Sequence, residues 1–143
     1  MAKHCVAHRV KRAARAITRL YDDALREVEL TAMQLTILSA IELRRDLSMR
    51  GIEELLVLEQ SALSRAVSAL ARRGLVEVAQ GRDRREKTLA LTDAGRALAL
   101  RAAERWRVAQ QAALHGVDDR DALFVALDRL AEAAPVRAAR RGE

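Results

Sequence analysis

Residues 58–95 read LEQSALSRAVSALARRGLVEVAQGRDRREKTLALTDAG, and the period of the apolar positions changes once within that stretch. From Ser61 to Arg72 the apolar residues are Leu63, Ala66, Val67 and Leu70, the three- and four-residue spacing of one helical face. Gly74 follows, where a glycine in the left-handed conformation closes a helix. Leu75-Val76-Glu77-Val78 and Thr88-Leu89-Ala90-Leu91-Thr92 then read as two strands, with Leu89 and Leu91 on one side of the second. Gly81-Arg82-Asp83-Arg84-Arg85-Glu86-Lys87 lies between them as a polar, charged hairpin loop.

The flanks are helical. Val6, Val10, Ala13, Ile17, Leu20, Ala24 and Val28 predict one long helix from about Val6 to Val28. Leu30 and Thr31 open a second helix, with Thr31 as its N-cap and Leu35, Ile37, Leu38 and Ile41 as its apolar positions. Arg44 to Arg50 is polar enough for a connection, and Ile52 to Val57 forms a short helix. Downstream, Thr92 caps a helix from near Asp93 to about Leu114, and His115-Gly116-Val117 breaks it. Asp118 caps a last helix from about Asp119 to Ala134, ended by Pro135. The expected fold is mainly α with a small β-hairpin: a helix-turn-helix with a wing, flanked by N- and C-terminal helices.

Composition narrows the partners. Half of the 143 residues are hydrophobic but only 2% are aromatic, so an Ala- and Leu-rich core buries modest area per residue. A shared subunit interface would add burial that one chain lacks. The formal net charge is +6, from 26 Lys and Arg against 20 Asp and Glu, which suits a polyanionic partner. The single cysteine, Cys5, excludes an internal disulfide and fits a reducing, cytoplasmic compartment. No run approaches the roughly 20 apolar residues of a membrane span, so no membrane partner is expected.

The helix from Ser61 to Arg72 has the two faces that a DNA-reading helix needs. Opposite the apolar stripe stand Ser61, Ser64, Arg65, Ser68 and Arg72, with Gln60 at the N-terminal end that enters a groove. Ser hydroxyls serve phosphates or base edges, and Arg serves guanine or phosphate. A solvated amphipathic face has the same look. The preceding short helix, the tight join at Leu58-Glu59-Gln60 and the Arg-rich hairpin distinguish this one. Arg82, Arg84 and Arg85 at the hairpin tip suit a narrow minor groove, where the negative potential is enhanced. Asp83 there fits a brace that fixes an Arg or the turn.

These residues resemble the MarR family of bacterial winged-helix regulators. Asp83-Arg84-Arg85 followed by Leu89-Ala90-Leu91-Thr92-Asp93-Ala94-Gly95 is similar to the family's wing signature. Leu63-Ser64-Arg65, Val67, Leu70 and Arg73-Gly74-Leu75-Val76 resemble its recognition helix and exit. Leu30-Thr31, Gln34-Leu35 and Leu38 resemble the start of its second helix, and Arg15-Ala16 to Leu20-Tyr21 its first. The resemblance covers about Val6 to Ala134. It implies a homodimer, with residues 1–29 and 93–143 as dimerisation helices and 30–92 as the DNA-binding lobe. Two-fold symmetry then implies a pseudo-palindromic operator. It implies that Gln60, Ser61, Ser64, Arg65 and Ser68 face the major groove of double-stranded DNA, that Arg85 leads in the minor groove with Arg84 next, and that Asp83 braces them. It implies a transcriptional regulator, in the first instance a repressor. It also implies a small, commonly aromatic or phenolic acid as effector, for which His8, Arg12, Arg15 and Trp106 are candidates. One Trp, one Tyr and one Phe supply an aromatic pocket poorly, so an Ala/Leu-lined pocket and a regulator without effector stay open.

Two alternatives accompany this reading. Organic-hydroperoxide sensors of the family carry a reactive cysteine near the start of the first helix, with tyrosines nearby. Tyr21 matches one such position, whereas Cys5 lies upstream of the sensors' cysteine and the second tyrosine position falls near Lys11. His4 and His8 are placed to lower the thiol pKa, making a redox regulator the first alternative. A winged helix used for protein contacts is the second. His4, Cys5 and His8 supply at most three ligands, so no metal is expected. Neither a nucleophile elbow nor a Gly-rich phosphate loop nor a paired-His motif occurs, so neither an enzyme nor a cofactor is expected.

Overall fold

The computed structural model describes residues 5–44, 47–80 and 87–132. Helix α1 (Val6–Leu25) runs into a 3-10 turn (Arg26–Val28) and is followed by α2 (Ala32–Leu43), α3 (Met49–Leu56) and α4 (Gln60–Arg72). Strands β1 (Val76–Gln80) and β2 (Lys87–Leu91) pair antiparallel, and α5 (Asp93–Ala113) and α6 (Arg120–Glu132) complete the chain.

Short side chains start the helices. The Thr31 hydroxyl accepts the Gln34 N–H (3.2 Å), while Gln34 Oε1 accepts the Thr31 N–H (3.0 Å), a reciprocal capping box. Ser48 caps α3 through the Gly51 N–H (3.1 Å), and Thr92 caps α5 through the Gly95 N–H (3.0 Å). Asp22 Oδ1 accepts the Ala32 N–H at 2.7 Å, tying α1 to the first turn of α2.

Three boundaries differ from the sequence reading. Helix α1 ends at Leu25, because the chain tightens into the 3-10 turn and Glu29 adopts a left-handed φ of 54°. Helix α3 begins at Met49 and ends at Leu56; the Ser48 cap turns Met49-Arg50-Gly51 into a first helical turn, and Val57 turns left-handed with φ 51°. The last helix starts at Arg120, and Asp119 rather than Asp118 caps it, its Oδ1 accepting the Ala122 N–H at 2.8 Å.

The core forms where α2 meets the helix-turn-helix and the hairpin. Ile37, Leu38 and Ile41 of α2 pack with Ile52 of α3, Leu63, Val67 and Leu70 of α4, Leu89 and Leu91 of β2, and Leu98 of α5. Of the four residues of the α4 stripe, Leu63, Val67 and Leu70 are fully or almost fully buried and Ala66 is partly buried. Helix α4 ends in a Schellman turn: Gly74, at φ +69°, donates to Ala71 O (2.9 Å), and Leu75 donates to Leu70 O (3.0 Å). The hairpin register runs from Val76 opposite Leu91 to Gln80 opposite Lys87. A bridge between Ser48 and Thr88, with the Leu89 N–H donating to Leu47 O (3.2 Å), docks the approach to α3 on β2.

The start of α5 closes this lobe. The Thr92 hydroxyl donates to Gly74 O (2.7 Å), and the Thr92 N–H donates to Leu75 O (3.2 Å). Gly95 lies so close that a Cβ there would stand 2.0 Å from Leu75 O, a backbone atom that cannot swing aside. Gly95→Ala is therefore expected to destabilise the protein by about 3 kcal/mol, the upper range for overpacking. This holds although Ala outranks Gly in a helix by about 1 kcal/mol. Urea unfolding checks it; an unchanged or raised midpoint would refute the contact.

Candidate functional site

Helix α4 presents an acid-free outer face. Gln60, Ser61, Ser64, Arg65, Ser68 and Arg72 are all exposed, while Leu63, Val67 and Leu70 face the core. None of those outward side chains makes a hydrogen bond or ion pair with a described residue, so their polar groups are free to meet a partner. The helix opens with its own first-turn bonds and is held to another element at its C-terminal end. The Glu59 carbonyl accepts from Ala62 (2.9 Å) and Leu63 (3.1 Å), and at the other end the Arg73 guanidinium reaches back to the α1–α2 turn. There it donates to Glu29 O and lies 3.7 Å from the Glu29 carboxylate. Arg82, Asp83, Arg84 and Arg85 fall outside the described residues. The strands that carry that loop are placed directly after α4.

Sequence reasoning placed Glu59 in the join before α4 and Arg73 at its exit but gave neither side chain a role. Glu59 is the N-cap of α4, yet its side chain makes no capping bond and is exposed. A glutamate where Thr, Ser or Asp caps serve other helices (Thr31, Ser48, Thr92 and Asp119) was the available signal. Arg73 had no local signal, because its partner Glu29 is distant in sequence.

A second feature lies between α1, α2 and α5. A cleft of about 580 Å³ is lined by Ile17, Thr18 and Tyr21 of α1, Ala32, Leu35, Thr36 and Ser39 of α2, and Ala99, Ala103 and Trp106 of α5. Of the four effector candidates, Trp106 lines it. His8, Arg12 and Arg15 are exposed on α1 outside its walls. The Tyr21 hydroxyl donates to Gln110 Oε1, joining α1 to α5 at the cleft. Burial pushes that hydroxyl above its ordinary value of 10.0, because the phenolate is poorly solvated there. Beside the cleft, Arg96 of α5 donates to Glu42 of α2 (3.0 Å) and to Leu91 O at the end of β2 (3.1 Å).

Cys5 is exposed at the N-cap of α1. Tyr21 lies about 24 Å farther along the same helix at 1.5 Å per residue, so the two do not meet within one chain. Among the described residues, no group of three or more His, Cys, Asp or Glu is placed to hold a metal ion. No helix among them is long and apolar enough to cross a membrane.

A helix-turn-helix followed by a hairpin, between long helices, defines a winged-helix protein. The sequence model of the MarR family matches residues 29–86. The structure of the M. tuberculosis transcriptional regulator MosR in complex with DNA is 33% identical, with 92% of this chain and 96% of that one covered at a TM-score of 0.84. PcaV from Streptomyces coelicolor, in complex with its natural ligand, is 27% identical, with 94% and 96% covered and a TM-score of 0.79. A mutant MarR from E. coli complexed with operator DNA shares the fold at 20% identity, with 91% and 94% covered and a TM-score of 0.77. No curated protein sequence matches the chain. The chain belongs to the MarR family of winged-helix transcriptional regulators.

Tyr21 is the chain's one tyrosine, so phenolate absorbance reports it alone. Its titration midpoint is expected above 10.0 in the folded protein. The raised value means that the folded state holds the proton more tightly than the unfolded state. The stability this contributes is present below about pH 10 and is lost as pH rises through the folded value. Tyr21→Phe should lose that dependence, and the Gln110 bond with it, at about 1 kcal/mol. A midpoint at or below 10.0 in the native protein would contradict the buried hydroxyl.

Proposed function

We propose that the protein binds a pseudo-palindromic operator as a homodimer and represses transcription, with release when a small aromatic or phenolic molecule enters the α1–α2–α5 cleft. The observation that carries the DNA reading is the outer face of α4. Gln60, Ser61, Ser64, Arg65 and Ser68 stand exposed, free of acids and without a hydrogen bond or ion pair to any described residue, on a helix held at its C-terminal end by Arg73. In this reading they enter the major groove, while Arg82, Arg84 and Arg85 follow the minor groove with Asp83 as their brace. The relatives crystallised on DNA support it, and the net charge of +6 agrees with a polyanionic partner. The structure of PcaV with its natural ligand supports a regulator that takes a small molecule. A cytoplasmic setting follows from the DNA partner.

The dimer reading rests on uncovered apolar surface. Helix α6 has no buried residue, although Phe124, Val125, Leu127 and Leu130 lie along it. On α1, Val6, Val10 and Ile17 are similarly uncovered. A helix of this length gains its stability from burying an apolar face, and a second copy of the chain supplies the cover. Residues 1–29 and 93–143 then serve dimerisation, and residues 30–92 bind DNA.

Selection of bound sequences from random DNA should return a palindrome of two half-sites. Arg65→Ala should weaken binding to it by about 1–3 kcal/mol if Arg65 reads a base, and Arg85→Ala should weaken it through the wing. Unselective recovery of DNA would reject the operator reading, and full affinity in Arg85→Ala would remove the wing from it. Phe124→Asp should convert a dimer to monomers in sedimentation; a wild-type protein that sediments as a monomer would end the dimer reading.

A further inference from the structure

The residues of the cleft restrict its ligand by charge. Every described residue lining the cleft is uncharged. Ile17, Leu35 and the Trp106 ring supply apolar surface, and Thr18, Ser39 and Tyr21 supply hydroxyls. The three cations that the sequence offered for an acid, His8, Arg12 and Arg15, are outside its walls. A carboxylate leaving water for these walls loses hydration and meets no opposite charge among the described lining residues, and Arg96 beside the cleft is already paired with Glu42, whereas an uncharged polar group needs only hydrogen bonds. The hydroxyls can provide those bonds. Tyr21 already donates to Gln110, so its oxygen is left as an acceptor. Thr18 and Ser39 make no hydrogen bond with a described residue and keep both donor and acceptor capacity.

Resting on the effector reading of the cleft, we infer that its ligand class is the uncharged aromatic bearing hydroxyl, amide or carbonyl groups, and not the aromatic carboxylate. The ring lies against Trp106 and Leu35, and the polar substituents meet the Thr18, Tyr21 and Ser39 hydroxyls. Selectivity comes from the missing cation: a carboxylate and its amide have nearly the same shape, and the walls favour the amide.

Trp106 is the chain's one tryptophan, so its emission reports on the cleft directly. The matched probes are 4-hydroxybenzamide and 4-hydroxybenzoate at neutral pH, titrated into the full-length protein and followed by Trp106 emission and calorimetry. The amide is expected to bind saturably and at least about tenfold more tightly, a difference of about 1.4 kcal/mol. Ser39→Ala should weaken the amide, and Arg15→Ala, which removes the cation one turn before Thr18, should leave it unchanged. Equal or tighter binding of the carboxylate would overturn the inference while leaving the effector cleft standing. If neither probe binds, the effector reading of the cleft falls and this inference with it.

Discussion

The first turn of α5 sits on the backbone at the end of α4, and the orientation of α4 follows from that contact. Gly74 turns the chain out of α4 in the left-handed conformation. Thr92 then takes both carbonyls that the turn exposes, Gly74 O through its hydroxyl and Leu75 O through its amide. The absence of a side chain at Gly95 lets the α5 backbone come this near. Four element ends therefore meet in one place: the exit of α4, the start of β1, the finish of β2 and the start of α5. The hairpin register begins at this junction with Val76 opposite Leu91, so the direction of the wing strands is set relative to α4. Arg73 holds the same end of α4 from the other side through Glu29. A helix gripped in this way presents its outer side chains in a fixed frame, which positioned recognition requires.

Much of that junction was legible in the sequence. A change of period from helical to alternating, with Gly74 at the change, located the end of α4, and Thr92 stood where a cap was needed. The closeness demanded at Gly95 was not legible, since it is set by a backbone oxygen twenty residues away in the chain. Where two neighbours satisfied the same rule, the sequence did not choose: Asp118 and Asp119 are both good caps, and geometry selects Asp119. The first turn of α3 was hidden because Met49-Arg50-Gly51 has no apolar period, and only the Ser48 hydroxyl marks it.

The cleft was the least legible feature, for a physical reason. Its walls come from three helices, and local periodicity does not bring Ile17, Leu35 and Ala99 together. Charge therefore led the sequence reading toward Arg12 and Arg15, residues that the fold leaves in solvent. Trp106 was the exception, since a lone large ring in an Ala-rich helix is conspicuous. The apolar positions of α1 show the complementary limit. Val6, Val10 and Ile17 were rightly read as one stripe, but a stripe records only that a face requires cover, and within one chain these residues remain exposed.

Helix α2 is the element through which the cleft and α4 share a structure. Leu35, Thr36 and Ser39 line the cleft, while Leu38 and Ile41 join the core that includes Leu63, Val67 and Leu70 of α4. One turn beyond Ser39, Glu42 holds Arg96, and Arg96 holds the last carbonyl of β2. The other end of α2 is held by Asp22 and by its capping box. A ligand that binds every arrangement of these parts equally shifts none of them, however tightly it binds. In the proposed regulator, a cleft ligand affects DNA binding only if its affinity depends on where α2 lies. Arg96 joins α2 to β2, while the core joins α2 to α4, so α2 is packed or bonded to both the hairpin and α4. Helix α4 and the hairpin strands are thereby tied to the same face of α2.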